Sequence, residues 1–204
     1  MLKRISIKHI NKVIKENPKW KILGIGCGYR AHPDSTVIAD VQDLSNYYKE
    51  KKFIKINEKK LPFKNKEFDF VIASHVIEHV EDFEFFINEL ERISSKGYIE
   101  LPSRLGDNLV FENKTDHIWW FIYDDTNNKL LASKRNQIIE PFVTVSTAKI
   151  FEKIFRESLV IELAWEEKID YEIDNSIQEN NAEKISFLKI FKKYISKKFR
   201  NLYK

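Results

Sequence analysis

Three of the chain's five glycines, Gly24, Gly26 and Gly28, fall where a short apolar run, Trp20 to Ile25, comes to an end. Glycine at such a point lets the backbone turn sharply and lets a ligand approach without a Cβ in the way. A second apolar run, Thr36 to Asp40, closes on an acid. If the two runs are neighbouring strands of a parallel sheet, Asp40 stands beside the crevice past the first strand's carboxyl end, the usual ligand site in such sheets. A carboxylate there accepts hydrogen bonds from both hydroxyls of a ribose. Glycine turn and acid together point to a nucleoside-containing cofactor.

The spacing discriminates between cofactors. Gly26-Cys27-Gly28-Tyr29-Arg30-Ala31 formally fits the dinucleotide pattern G-x-G-x-x-G/A. That pattern needs a full helix behind it, because the pyrophosphate rests on the helix N-terminus, and an acid about 20 residues on. Here Asp40 lies 14 residues after Gly26, and His32-Pro33-Asp34 interrupts the stretch. A crossover with its helix takes about 10–12 residues, so a turn or two is all that fits. S-adenosylmethionine carries no pyrophosphate and asks mainly for close backbone approach and a ribose acid. The spacing favours it.

The elements that must position these residues follow from hydrophobic periodicity. Ile5 to Ile14 reads as an amphipathic helix ended by Asn17-Pro18. Strands are predicted at Trp20–Ile25, Thr36–Asp40, Phe53–Ile56, Phe68–Ala73 and Gly97–Leu101, the last closed by Pro102. Asp82 can cap a helix with apolar residues at 83, 86, 87, 90 and 93. Strands separated by helical or turn segments predict a doubly wound α/β fold with a mostly parallel sheet. Beyond Pro102 the pattern changes. His117–Tyr123 and Lys129–Ser133 flank a polar turn and read as a β-hairpin. Ser146 can cap a helix through Phe155, and Leu159–Ile173 reads as one or two strands. The expected organisation is one domain over 1–181 with a hairpin insertion at about 115–135, then a basic amphipathic helix over 182–204.

Composition bounds the class. At 204 residues, 43% hydrophobic and 32% charged, the chain suits one globular domain with a full core. Its single cysteine, Cys27, excludes an internal disulfide, so a reducing cytoplasm is the expected compartment. No apolar run approaches the roughly 18 residues of a membrane span, and the charge-broken N-terminus does not read as a signal peptide. The net charge of +4 is unevenly spread. Residues 184–204 alone carry +8, which leaves the rest at −4. A nucleic-acid-binding surface spread over the whole protein is therefore not expected. In the tail, Leu188, Phe191, Ile195, Phe199 and Leu202 recur at helical spacing among lysines. Three readings stand: a stripe packed on the chain's own domain, attachment to anionic lipid at the inner membrane face, or nucleic acid.

A set of motifs occurs in order: Lys21-Ile-Leu-Gly-Ile-Gly-Cys-Gly28, Ala39-Asp40, Leu61-Pro-Phe63, Phe68-Asp-Phe-Val71 and Val76-Ile-Glu-His-Val80. Together they resemble the class I S-adenosylmethionine-dependent methyltransferases, in the branch with a type 11 methyltransferase domain. The stretch from about Trp20 to Pro102 carries the likeness. The resemblance implies a Rossmann-like sheet of about seven strands with S-adenosylmethionine as cofactor. It also implies roles: Gly26, Cys27 and Gly28 line the methionine and ribose part, Asp40 holds the ribose hydroxyls, and Val41 lies against adenine. Asn57 matches a position usually held by Asp that meets the adenine amino group. Ser74 and His75 would lie by the methionine portion and the reactive methyl. Gly24 stands where the family carries an acid, and Arg30 where it carries a third glycine.

An oxygen acceptor of high pKa needs a base, and His75, His79 and His117 are the candidates, since imidazole titrates near neutrality. His75 and His117 are the better placed, at the strand end and at the start of the aromatic hairpin. His79 reads rather as ordering its loop. Trp119 and Trp120 point to opposite faces of a strand, one toward the core and one free to cover an acceptor pocket. No Asn/Asp-Pro-Pro-aromatic run follows the fourth strand, which tilts the expectation to an oxygen acceptor on a small molecule or a lipid-linked glycan. The alternatives are a protein or RNA methyltransferase, or a non-catalytic binding protein whose cofactor site has degenerated at Gly24 and Arg30. No metal site is expected, because the histidines are scattered in sequence and Cys27 sits inside the cofactor turn as a small loop residue.

Overall fold

The computed structural model describes residues 1–57, 60–174 and 186–202. Its first half builds β1 (Leu2–Arg4), α1 (Ile7–Glu16), β2 (Ile22–Ile25), β3 (Val37–Asp40), β4 (Lys52–Lys55), β5 (Phe70–Ser74), α2 (Phe83–Ile93) and β6 (Lys96–Pro102). The second half adds α3 (Arg104–Leu109), α4 (Asn113–Asp116), β7 (Trp119–Asp124), β8 (Lys129–Lys134), α5 (Val145–Leu159), β9 (Val160–Glu166), β10 (Tyr171–Ile173) and α6 (Phe187–Leu202).

Seven strands form one sheet in the order β1-β9-β6-β5-β2-β3-β4. The pairs from β6 through β5, β2 and β3 to β4 are parallel, while β9 runs antiparallel to both β6 and β1. The five strands predicted in the first half all occur. The edge strand β1 was not predicted; three residues with one buried side chain give no periodicity to read. Leu159–Ile173 resolves into β9, inside the main sheet, and β10, which joins β8 and β7 in a second, three-stranded sheet.

Alternation along the strands divides the core between two faces. On one face Ile22, Phe70, Ile72, Tyr98 and Ala164 meet Ile10 and Ile14 of α1. Helix α1 is capped at Ser6, whose side chain accepts from His9 N–H, and ends at Asn17 before Pro18. On the other face Leu23, Ile25, Val71, Ala73, Ile99 and Leu163 meet α2 and the small sheet. Helix α2 starts at Asp82, which accepts from Phe85 N–H, and buries the predicted stripe Phe83, Phe86, Ile87, Leu90 and Ile93. Each such side chain contributes roughly 1.5–3 kcal/mol by leaving water.

Between β2 and β3 the chain makes turns and no helix, as the spacing from Gly26 to Asp40 requires. Two expectations fail in the second half. Helix α5 is capped by Thr144, whose side chain accepts from Thr147 N–H, and not by Ser146, which already lies inside the first turn. The tail does not lay its apolar stripe on the domain: side chains along α6 from Phe187 to Arg200 are exposed. Its attachment is at its first residue, where Phe187 stacks on Phe142 at 5.5 Å and its N–H donates to Glu140. The expected boundary at 181/182 lies outside the described residues.

Candidate active site

The carboxyl end of β2 runs into Gly26 (φ +62°) and Gly28 (φ +51°), a left-handed region that side chains rarely tolerate. A Cβ on Gly26 would run into the Val76 side chain, in the loop that follows β5. The first glycine thus lets the loops after β2 and β5 pack together. Nothing lies within 4 Å of where a Cβ on Gly28 would sit, so the second faces open space. The turn lacks a helix behind it and is braced instead by Tyr48, whose hydroxyl donates to Gly28 O at 2.7 Å and accepts from Ala31 N–H at 3.0 Å. Sequence reasoning missed Tyr48, because nothing local distinguishes it from its neighbour Tyr47.

Asp40 ends β3 beside this turn, as expected. Its Oδ2 accepts from Gly28 N–H at 2.9 Å, and its Oδ1 accepts from Gln42 N–H at 2.9 Å. A carboxylate has about four lone-pair sites, so each oxygen retains one for an incoming hydroxyl. Val41, the next residue, is 52% exposed, an apolar surface standing directly beside the acid. Asn57 follows β4 on the same side, since Ile56 N–H donates to Asp40 O at 2.9 Å. Cys27 lies between the glycines. Burial, then the charge of Asp40, pushes its thiol up to about 11, so it is no nucleophile at neutral pH.

Ser74 is the last residue of β5, and His75 follows it with φ +53°. That turn swings the imidazole between two carboxylates: Nδ1 lies 3.2 Å from Glu78 Oε1 and Nε2 lies 3.2 Å from Glu100 Oε1. Burial opposes charging the ring, and the two carboxylates outweigh it, so its pKa is pushed up to about 10. His75, expected as a base, is instead held between two acceptors. A charged ring donates from both nitrogens, one to each carboxylate. Glu100 is tied in turn to Arg156 Nη2 at 2.5 Å and lies 2.8 Å from the Tyr98 hydroxyl. Burial would raise its pKa, yet His75 and Arg156 hold it down at about 2.

His117 arrives from the other half of the chain. The His117 backbone leads into β7, and Ile118 N–H donates to Glu78 O at 2.7 Å, which fastens the hairpin to the loop after β5. The rings of His79 and His117 meet edge to face with centroids 4.5 Å apart. His79 Nδ1 lies 2.9 Å from Asp116 O, and His117 Nδ1 bonds Asp107 Oδ1. Both partners only accept, so each Nδ1 donates to its partner. Asp107 is buried and takes two further donors, Trp120 Nε1 and Arg135 Nε, each at 2.6 Å. The two tryptophans do face opposite ways, but neither is left to cover a pocket: Trp119 joins the core and Trp120 covers Asp107.

One ligand atom each from Glu78, His79 and His117 lies within 4.8 Å of the others. The histidines scattered in sequence are not scattered in space: positions 78, 79 and 117 converge only through the fold. The single local signal was the adjacent Glu-His pair after a strand. The Leu61-Pro62-Phe63 motif is structural. Leu61 and Phe63 are buried, and Arg92 and Glu89 of α2 hold the backbone there.

Residues 24–99 match the family model described as a methyltransferase domain. This segment, a little over a third of the chain, is similar to a methyltransferase domain. The cofactor of such methyltransferase domains is S-adenosylmethionine. The residues of the domain fit that cofactor: an open glycine turn without a pyrophosphate-binding helix, a carboxylate with free lone pairs for a ribose, and exposed Val41 for an adenine. No curated protein sequence matches the chain. Among solved structures, the YcgJ protein of Bacillus subtilis is 16% identical, with a TM-score of 0.39, over 47% of this chain and 51% of that one. CalH, a methyltransferase crystallised with S-adenosylhomocysteine, is 18% identical, with a TM-score of 0.40, over 47% of this chain and 35% of that one. A possible histamine N-methyltransferase of Thermotoga maritima is 14% identical, with a TM-score of 0.46, over 78% of this chain and 88% of that one. The chain thus spans about half of the first of these and about a third of the second.

Proposed function

We propose that the protein transfers a methyl group from S-adenosylmethionine to an oxygen of a small-molecule or glycan acceptor, lipid-linked glycans included. The observation that carries this reading is the meeting of the Asp40 carboxylate with Gly28 N–H at 2.9 Å, beside the open side of the glycine turn. When bound, the cofactor supplies an electrophilic methyl: the acceptor oxygen bonds the methyl carbon as the methyl–sulfur bond breaks and its electron pair passes to sulfur.

The chain's residues bind and orient. Gly26 and Gly28 bring backbone close to the ligand, Asp40 anchors the ribose, and Val41 and Asn57 border the base. Ser74 lies toward the methionine end. His75, a donor on both sides, locks the loop after β5 between Glu78 and Glu100 and leaves proton removal to other groups. His79 and His117 lie on the acceptor side, where a hydroxyl must lose its proton as it is methylated. Calorimetric titration of the full chain with S-adenosylhomocysteine is expected to give saturable one-to-one binding. No heat of binding at millimolar ligand would overturn the reading in favour of a scaffold with a degenerate site.

Tail helix α6 favours a lipid-facing placement for the protein. Leu188, Phe191, Ile195 and Phe199 are exposed among lysines, and Ile150, Phe151, Ile154 and Phe155 add a second exposed apolar stripe on α5. Apolar side chains together with cations bind the boundary of an anionic bilayer. No helix among the described residues is long and apolar enough to cross a membrane. Flotation with vesicles containing phosphatidylglycerol is expected for the full chain and lost when 184–204 are deleted. Failure of the intact chain to float would end this placement.

A further inference from the structure

We infer that Glu78, His79 and His117 form a site for a first-row divalent transition-metal cation, and that this cation takes the acceptor oxygen as a further ligand. The second part rests on the methyl-transfer reading above; the first does not.

Geometry supports the site. One ligand atom from each residue lies within 4.8 Å of the other two. Ligands about 2.1 Å from a metal stand roughly 3–4 Å apart, so a small closing of side chains completes the set. Each Nδ1 is engaged by an acceptor, Asp116 O or the Asp107 carboxylate, so Nε2 is the ring nitrogen left to turn toward a cation. A carbonyl or carboxylate behind a histidine is the support that metal-bound imidazoles receive, fixing tautomer and ring orientation.

Glu78 gives an independent indication. Its side chain is fully buried, and Oε2 has no hydrogen-bond partner. A buried carboxylate oxygen without a donor costs free energy unless something else satisfies it. Its other oxygen, Oε1, is held by His75 at 3.2 Å, which aims the group in the way that ligating carboxylates are aimed. A cation supplies the missing partner.

Two imidazoles and one carboxylate form a set suited to manganese, iron, cobalt or zinc rather than to calcium or magnesium, which prefer oxygen. Three protein ligands leave positions open. Val76, two residues before Glu78, packs on the Gly26 turn, so these positions belong to the same edge as the cofactor cradle. A hydroxyl bound to the cation loses its proton to solvent more readily, because the metal stabilises the oxyanion that attacks. The two histidines then hold the metal rather than take the proton themselves.

The test uses untagged full-length protein stripped with chelator and titrated with Mn²⁺, the unbound ion being followed by electron paramagnetic resonance. The expected result is one ion per chain, with affinity lowered at least about tenfold by His79→Ala and by His117→Ala. His79 is exposed, so its substitution leaves the core intact. Calorimetry with S-adenosylhomocysteine on the same preparations is expected to give an unchanged affinity. No stoichiometric binding of Mn²⁺, Co²⁺ or Zn²⁺ by a preparation that binds S-adenosylhomocysteine overturns the inference. Binding indifferent to both substitutions overturns it as well. A chain that holds the ion yet fails to bind S-adenosylhomocysteine upholds the cation site while removing the methyl-transfer reading.

Discussion

Asp40→Ala is expected to weaken S-adenosylhomocysteine binding by about 100-fold or more, measured by calorimetry against the unaltered chain. The carboxylate is fully engaged on its protein side, accepting from Gly28 N–H and Gln42 N–H at 2.9 Å each. Its remaining lone pairs are those available to the two ribose hydroxyls. A hydrogen bond to a charged group is worth about 1.5–3 kcal/mol, so losing two removes about 3–6 kcal/mol, and each 1.4 kcal/mol is tenfold in affinity. The substitution also frees Gly28 N–H and loosens the turn that must approach the ligand. Asp40→Asn is expected to fall between, since the amide offers one accepting oxygen and presents donors where donors already point. Undiminished affinity in Asp40→Ala would mean that the ribose does not rest on this carboxylate.

The largest effect on stability is expected from Asp107→Ala, about 3–5 kcal/mol of unfolding free energy measured by urea denaturation. Asp107 is 1% exposed and collects three donors: Trp120 Nε1, Arg135 Nε and His117 Nδ1. Its removal leaves the guanidinium of Arg135, whose side chain is 6% exposed, without its counter-charge. A buried charge stripped of its partner is far more costly than the intact pair is favourable. His117 also loses the acceptor that holds its ring beside Glu78 and His79. A loss below about 1 kcal/mol would show that water or Gln137 re-pairs Arg135 and that Asp107 is not central to the hairpin's attachment.

The cofactor side of the site was legible from local sequence because its parts are local. Gly26 and Gly28 are the positions that take positive φ, and Asp40 ends the neighbouring strand. Once the runs at 20–25 and 36–40 are read as adjacent parallel strands, the acid has one place to go. Helix α2 was equally plain, since Asp82 and five apolar residues at helical spacing leave no other amphipathic arrangement. The acceptor side was not legible. His75 looked available at a strand end, and only the register Ser74↔Glu100 shows that β6 delivers a carboxylate to its second nitrogen.

Sequence alone determined the five strands of the first half, the helix-free crossover after β2, the glycine turn and the acid that ends β3. Each depends on periodicity, steric freedom at glycine or spacing along a short segment. Tertiary structure alone decided that β1 closes the sheet, that Trp120 covers Asp107, that α6 stands away from the domain, and that Glu78 and His79 meet His117. Those outcomes depend on side chains far apart in the chain sharing one buried volume. The free energy of such a meeting comes from desolvation and pairing in three dimensions, which no pattern along one dimension records.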